Sequence, residues 1–223
     1  MPIGVNVGVK STNPAGAGVS VPTLPMTDLI HALIYPDGVA LPDWTAAVGP
    51  NATCNAFITD SGTGLVLPNP AFPITFSAIG PTVNKPFTFV RVMKYAAGWN
   101  YYTTNAGETC YFASFGGDNL YSLSTVAGGF TSRPASASTG YIVERIVRDA
   151  AGDMTYTTTG RAPVSIGTGR GGDLFPFTTI KGNNSIQALT QLLYSGDNGN
   201  LVASGQWESL AAWIAAFNFG AAL

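Results

Sequence analysis

The sequence predicts an all-β protein, an antiparallel sandwich closed by one short C-terminal helix. Three observations carry that expectation. Short runs rich in β-branched and aromatic residues recur at regular spacing between turn signals, with no helices alternating between them. The 223 residues include 27 Gly and 15 Pro, which favour turns and short strands over long helices. Sustained apolar residues at helical spacing occur in one good stretch, close to the C-terminus.

Composition narrows the function classes. Hydrophobic residues make up 46% of the chain, enough for a substantial core, and charged residues only 10%, against about 25% in an average soluble domain. A formal net charge of -2 provides no electrostatic footprint for nucleic acid or an anionic membrane. No apolar run approaches the ~18 residues of a membrane span. The opening MPIGVNVGVKSTNPAG has no basic region followed by an apolar one, so no cleavable signal peptide is expected. So few charges protect weakly against self-association, which suits a surface covered in an assembly. Cys54 and Cys110 match no metal-ligand spacing and are expected to be two separate thiols.

In chain order, residues 1–25 read as an extended N-terminal arm and residues 26–223 as one domain. Ile3, Val5, Val7 and Val9 alternate with Gly4, Asn6 and Gly8, a strand with one apolar face. It either completes the domain's own sheet or pairs with a neighbouring subunit. Thr27 to Leu33 is expected to form one or two helical turns capped by Thr27 or Asp28. His31, the sole histidine, has no partner for a metal cluster and reads as a core residue. Pro36-Asp37-Gly38 and Gly49-Pro50-Asn51 are turns, and short strand pieces lie within Phe57 to Leu67. Pro68, Pro70 and Pro73 forbid a central strand across that stretch. Phe87 to Tyr95 alternates most clearly of all, and further strands are expected at 99–104, 109–115, 120–126, 141–148, 154–159 and 186–194.

Tyr141 to Gly160 reads as a hairpin around Asp149-Ala150-Ala151-Gly152-Asp153. A helix is the competing reading, because Ile142, Val143, Ile146 and Val147 also share a helical face and Glu144 pairs with Arg148 at i,i+4. The density of β-branched residues tips the balance toward strands. A helix over 204–218 closes the chain, with Ser204 as cap, Glu208 in an early turn, and Trp207, Leu210, Trp213, Ile214 and Phe217 as its apolar stripe. Gly220 follows as a stop.

Several of these segments, taken in order, resemble the concanavalin A-like lectin/glucanase superfamily, especially its laminin-G-like members. They are Asp43-Trp44, the strand KPFTFVRV at 85–92, the hairpin around 149–153, Ser165-Ile166-Gly167, the strand Ala188 to Tyr194, and the closing helix. The resemblance covers roughly residues 40 to 220 and implies a jelly-roll sandwich of two antiparallel sheets. It implies no single function, since that fold hosts lectins, glycosidases, adhesion modules and virion proteins.

Glycosidase chemistry needs two converging carboxylates. The glucanases of the superfamily place them on Glu-x-Asp-x-Glu strands, whereas Glu108, Glu144 and Glu208 here stand far apart in sequence. Glu144, near Arg145 and Arg148, reads as an ion-pair partner, so no catalytic residues are expected. Gly167 to Gly172 matches GxGxxG literally, but no helix follows to receive a pyrophosphate. Asp118-Asn119 and Asp197-Asn198-Gly199-Asn200 are oxygen-rich but fit no ordered calcium motif, and neither metal nor cofactor is expected. The sequons at Asn51 and Asn183 matter only in a secreted eukaryotic protein. Trp99, Tyr101 and Tyr102 could form a sugar-stacking platform or pack in the core.

The expected function is therefore a non-enzymatic structural protein at a virion surface, of the phage capsid-decoration or tail kind. Its expected partners are other virion proteins or copies of itself, contacted through Ile3, Val5, Val7 and Val9. The alternative is a carbohydrate-binding lectin-like module reading surface glycans through Trp99, Tyr101 and Tyr102. A glycoside hydrolase is the third and weakest reading.

Overall fold

Antiparallel pairing organises two sheets around one strand of 19 residues, Phe177–Ser195. The computed structural model describes residues 23–35, 39–60, 65–80, 84–95, 100–108, 111–115, 120–124, 130–134 and 141–216. The first strands are β1 (Leu29–Ile34), β2 (Val39–Ala40), β3 (Asp43–Trp44), β4 (Ala52–Cys54), β5 (Thr59–Asp60), β6 (Leu65–Leu67), β7 (Ile74–Ile79) and β8 (Phe87–Tyr95). They are followed by β9 (Asn100–Thr104), β10 (Tyr111–Phe115), β11 (Leu120–Ser124), β12 (Phe130–Pro134), β13 (Tyr141–Arg148), β14 (Met154–Thr158), β15 (Val164–Gly167) and β16 (Phe177–Ser195). One helix, α1 (Trp207–Ala216), closes the described chain.

The first half of β16 pairs with β7 and β9 in a sheet ordered β12-β11-β10-β9-β16-β7-β4-β3-β2. Its second half pairs with β8 on one side and with β1 and β6 on the other; β8 leads on to β13, β14 and β15. A bulge between Ile186 and Ala188 lies where the strand has passed from one sheet to the other, the usual place for such an irregularity. The fold is an antiparallel jelly-roll sandwich with a short C-terminal helix.

The main core fills the space between the sheets. Phe89, Met93, Ile146, Tyr156 and Leu193 from one sheet meet Trp44, Ile74, Phe112, Phe177 and Ile180 from the other. A second cluster lies on the outer face of the sheet built on β8 and β13. There Val90, Val92, Val143, Leu192 and Tyr194 are covered by Leu201 and by Leu210, Trp213 and Ile214 of α1. That sheet is thus buried on both faces, and its outer cover ends at Trp207, the first residue of the helix.

The hairpin reading of 141–160 holds: Glu144 to Arg148 pair with Thr158 to Met154. Asp149 Oδ1 accepts from the backbone N–H groups of Ala151 and Asp153. Gly152 takes φ +87, and a Cβ there would stand 2.6 Å from the Gly171 nitrogen, so the turn requires glycine on both counts.

Other expectations are corrected. Thr27 to Leu33 is not helical: Asp28 takes φ +58 and Leu29–Ile34 pairs with β16. A strand buried on both faces reads as a continuous apolar run, which periodicity cannot tell from a buried helix. The strand expected at 186–194 begins at Phe177, because Lys181, Gly182 and Asn183 disguise its first half. The strands β7 and β12 were not anticipated. Ser204 does not cap the helix: its Oγ donates to the Leu201 carbonyl, and the first helical bond runs from Leu210 N–H to the Gln206 carbonyl. Cys54 is a buried free thiol, pushed up to about 11 by burial and by the Asp43 carboxylate. Cys110, Phe217, Gly220, the 36–38 turn and the arm residues Ile3, Val5, Val7 and Val9 lie outside the described residues.

Candidate functional site

Two polar constellations flank the β8–β13 sheet, one on each face. The inner one is a rung in register across three strands: Gln191 of β16 opposite Arg91 of β8, opposite Glu144 of β13. Arg91 Nη2 donates to Glu144 Oε2 at 2.6 Å and Nη1 to the Phe112 carbonyl at 3.0 Å. The guanidinium lies 3.4 Å above the Phe112 ring centroid, and Tyr156 Oη donates to Glu144 Oε1 at 3.1 Å. Thr103 Oγ1 donates to Gln191 Oε1 at 2.8 Å. The Gln191 amide N–H then donates to His31 Nε2 at 3.0 Å. Burial drops His31 from 6.5 to about 3, so the ring is neutral. Sequence reasoning rightly took Glu144 as an ion-pair partner and His31 as core, but its partner is Arg91, not Arg145 or Arg148. Arg91, Glu144 and Gln191 are fully buried, so no substrate reaches this set.

The outer constellation is reachable. A groove of about 460 Å³ runs between the open end of the β13–β14 hairpin and the start of α1. Arg145 and Thr157 are a cross-strand pair on the outer face, and Arg145 Nη2 donates to Thr157 Oγ1 at 3.2 Å. The Arg145 guanidinium lies 4.0 Å from the centroid of the Trp207 ring, close enough for cation–π attraction. Burial holds Arg145 below the usual arginine range. Thr159 shapes the far wall: its Oγ1 accepts from Val143 N–H at 2.9 Å, and its own N–H donates to the Val143 carbonyl at 3.1 Å. Gly160, at φ +76, turns the chain so that Arg161 and Pro163 complete the rim. The lining holds two arginines, three threonines and an indole, and no carboxylate. A second hollow of about 520 Å³ between Thr23, Pro25, Gln206, Ser209 and Ala212 holds Glu208 and no aromatic or basic residue.

The sequence singled out none of the groove residues. Trp207 was assigned to the helix's apolar stripe, yet it is only half-buried at the stripe's edge. The available signal was Arg145 between Val143 and Val147, a cation at an outward position of a strand otherwise rich in β-branched residues. Of the aromatics proposed instead, Trp99 lies outside the described residues. Tyr101 and Tyr102 fall on β9, paired with Ser114 and Ala113.

The remaining expected features are occupied by protein contacts. Gly169 to Gly172 carries a single 3-10 turn followed by extended chain, not the helix that a dinucleotide loop needs. Asp197 pairs with Lys85, and Asn198 N–H donates to Asp28 Oδ2. Asp118-Asn119 lies outside the described residues. Glu108 pairs with Lys181, and Glu208 is exposed on α1. Among the described residues no three His, Cys, Asp or Glu side chains converge as a metal site.

No protein-family model matches the sequence, and no curated protein does either. Solved structures do match in shape. The binding domain of Paraclostridial Mosquitocidal Protein 1 superposes with a TM-score of 0.53 at 14% identity, over 86% of this chain and 53% of that one. The receptor binding domain of botulinum neurotoxin D gives 0.50 at 14% identity, over 80% and 53%. A Trypanosoma rangeli sialidase in complex with sialic acid gives 0.51 at 12%, over 82% of this chain and 32% of the sialidase. The chain thus spans about half of each toxin domain and a third of the enzyme. The likeness is one of fold: a β-sandwich of the kind found in these proteins.

Proposed function

We propose that this chain is a non-enzymatic, lectin-like binding module whose outer groove takes a saccharide. The observation that carries the reading is the Arg145–Trp207 stack with Thr157 beside it: a solvent-reachable groove with directional donors, hydroxyls and an aromatic edge. Sugars are held by that combination of hydrogen bonds and apolar ring contact. The sandwich shared with toxin binding domains supports the same reading at the level of fold. Against hydrolysis stands the fate of the carboxylates: Glu144 is sealed in the core, and Glu108 and Glu208 lie apart on the surface. Tyr35 Oη donates to Asp60 Oδ1 at 2.7 Å, and burial together with that carboxylate raises the phenol above its usual range, the wrong direction for a nucleophile.

We place the module at the surface of a virus particle, assembled with other virion proteins or with copies of itself. The 10% charge content supports that context. The test is a glycan array probed with the full chain and with Trp207→Ala. Retention on a defined set of glycans, lost in the variant, is expected. An array on which the two behave alike removes the groove from the reading. Co-sedimentation with particles tests the context separately.

A further inference from the structure

Resting on the reading of the groove as a saccharide site, we propose that it selects an acidic saccharide, one bearing a carboxylate or a sulfate ester, and that Arg145 is the residue that reads the charge.

Other partly or fully buried guanidinium groups among the described residues are compensated within the protein. Arg91 has Glu144 at 2.6 Å, and Arg170 has Asp173 at 3.1 Å. Arg148 donates to three carbonyl oxygens, those of Lys85, Arg170 and Asp173. Arg145 has only neutral partners, the Thr157 hydroxyl and the Trp207 ring, although burial already disfavours its charge. A half-desolvated cation facing neutral groups gains most from an anion.

The surroundings select for one. Glu144 precedes Arg145 in the chain but faces the core, and Glu208 follows Trp207 but lines the other hollow. The groove keeps two arginines and excludes carboxylates, in a chain where acids outnumber Lys and Arg by 12 to 10. Nη2 is engaged by Thr157, which fixes the guanidinium plane against the indole and leaves its other donors for a two-oxygen acceptor. At about 460 Å³ the groove has room for a sugar ring or two besides the oxyanion.

The test is calorimetric titration of the full chain with a glucuronate-containing tetrasaccharide, a sulfated tetrasaccharide, the carboxyl-reduced neutral analogue, and inorganic sulfate. At least one acidic tetrasaccharide should bind ten-fold or more tightly than the neutral analogue. That preference should weaken with added salt, fall to under two-fold in Arg145→Gln, and survive in part in Arg145→Lys. A neutral analogue that binds as well as the acidic ones, or a preference that Arg145→Gln retains, overturns the acidic selection and leaves the saccharide reading standing. Inorganic sulfate competing as well as the tetrasaccharides reduces the site to a simple ion site and overturns the proposal. If no saccharide binds on the array or in solution, both readings fall together. Should Arg145→Gln not fold, the wild-type salt dependence and the neutral analogue still decide.

Discussion

Arg91 and Arg145 lie on neighbouring strands of one sheet and face opposite ways. Glu144 points inward to the first, and Arg145, the next residue, points outward, as strand alternation demands. The inner arginine is sealed and matched with carboxylate, carbonyl and ring. The outer one is half-buried and matched with nothing negative. The interior pair is spent on the fold, and its removal leaves an uncompensated charge. On the proposed reading, the exterior arginine adds little to folding and serves a ligand that arrives from solution.

The sharpest break in that comparison is Glu144→Gln. It strands a buried guanidinium and should destabilise by about 3–5 kcal/mol, read as a lower urea midpoint. Trp213→Ala tests the outer layer that frames the groove. Its side chain is buried between α1 and the sheet, and its loss should cost about 3–5 kcal/mol.

Next comes pH. His31 is neutral in the fold, with its affinity for a proton lowered from 6.5 to about 3. Between those values the unfolded chain binds a proton that the folded chain does not. Stability contributed by the neutral ring is therefore present above pH 6.5 and is lost as pH falls through the window, at up to ~1.4 kcal/mol per unit. Urea midpoints followed from pH 7 to pH 4 should show a shallower decline in His31→Gln than in the wild type.

A smaller effect, of opposite sign, is expected at Tyr194. Its hydroxyl is buried beneath α1 with no hydrogen-bond partner, so Tyr194→Phe should be neutral or stabilising by about 1 kcal/mol. A clear loss of stability would show that the hydroxyl has a partner after all.

How far this was legible in the sequence depended on whether an element exposes one face or none. The 141–160 hairpin was readable because β-branched alternation and the Asp149 to Asp153 turn agree locally. Leu29–Ile34 was not, since a strand covered by Phe76 on one side and α1 on the other leaves no polar alternation to read. The first half of β16 hides behind Lys181, Gly182 and Asn183, residues that the strand pairing tolerates and local propensity does not predict. The groove was half legible. The hairpin register puts Arg145 across from Thr157, but only tertiary packing brings Trp207 to them from some sixty positions further along the chain.

The central claim, that the outer arginine serves a ligand and not the fold, is tested most directly by urea unfolding of the wild type and Arg145→Gln, each with and without the glucuronate tetrasaccharide. Without ligand the two midpoints should correspond to stabilities within about 1 kcal/mol of each other. With ligand at saturating concentration the wild-type midpoint should rise, as binding to the folded state requires, and that of Arg145→Gln should not. An unliganded loss of 2 kcal/mol or more in the variant, or an equal rise in both proteins, would contradict the account.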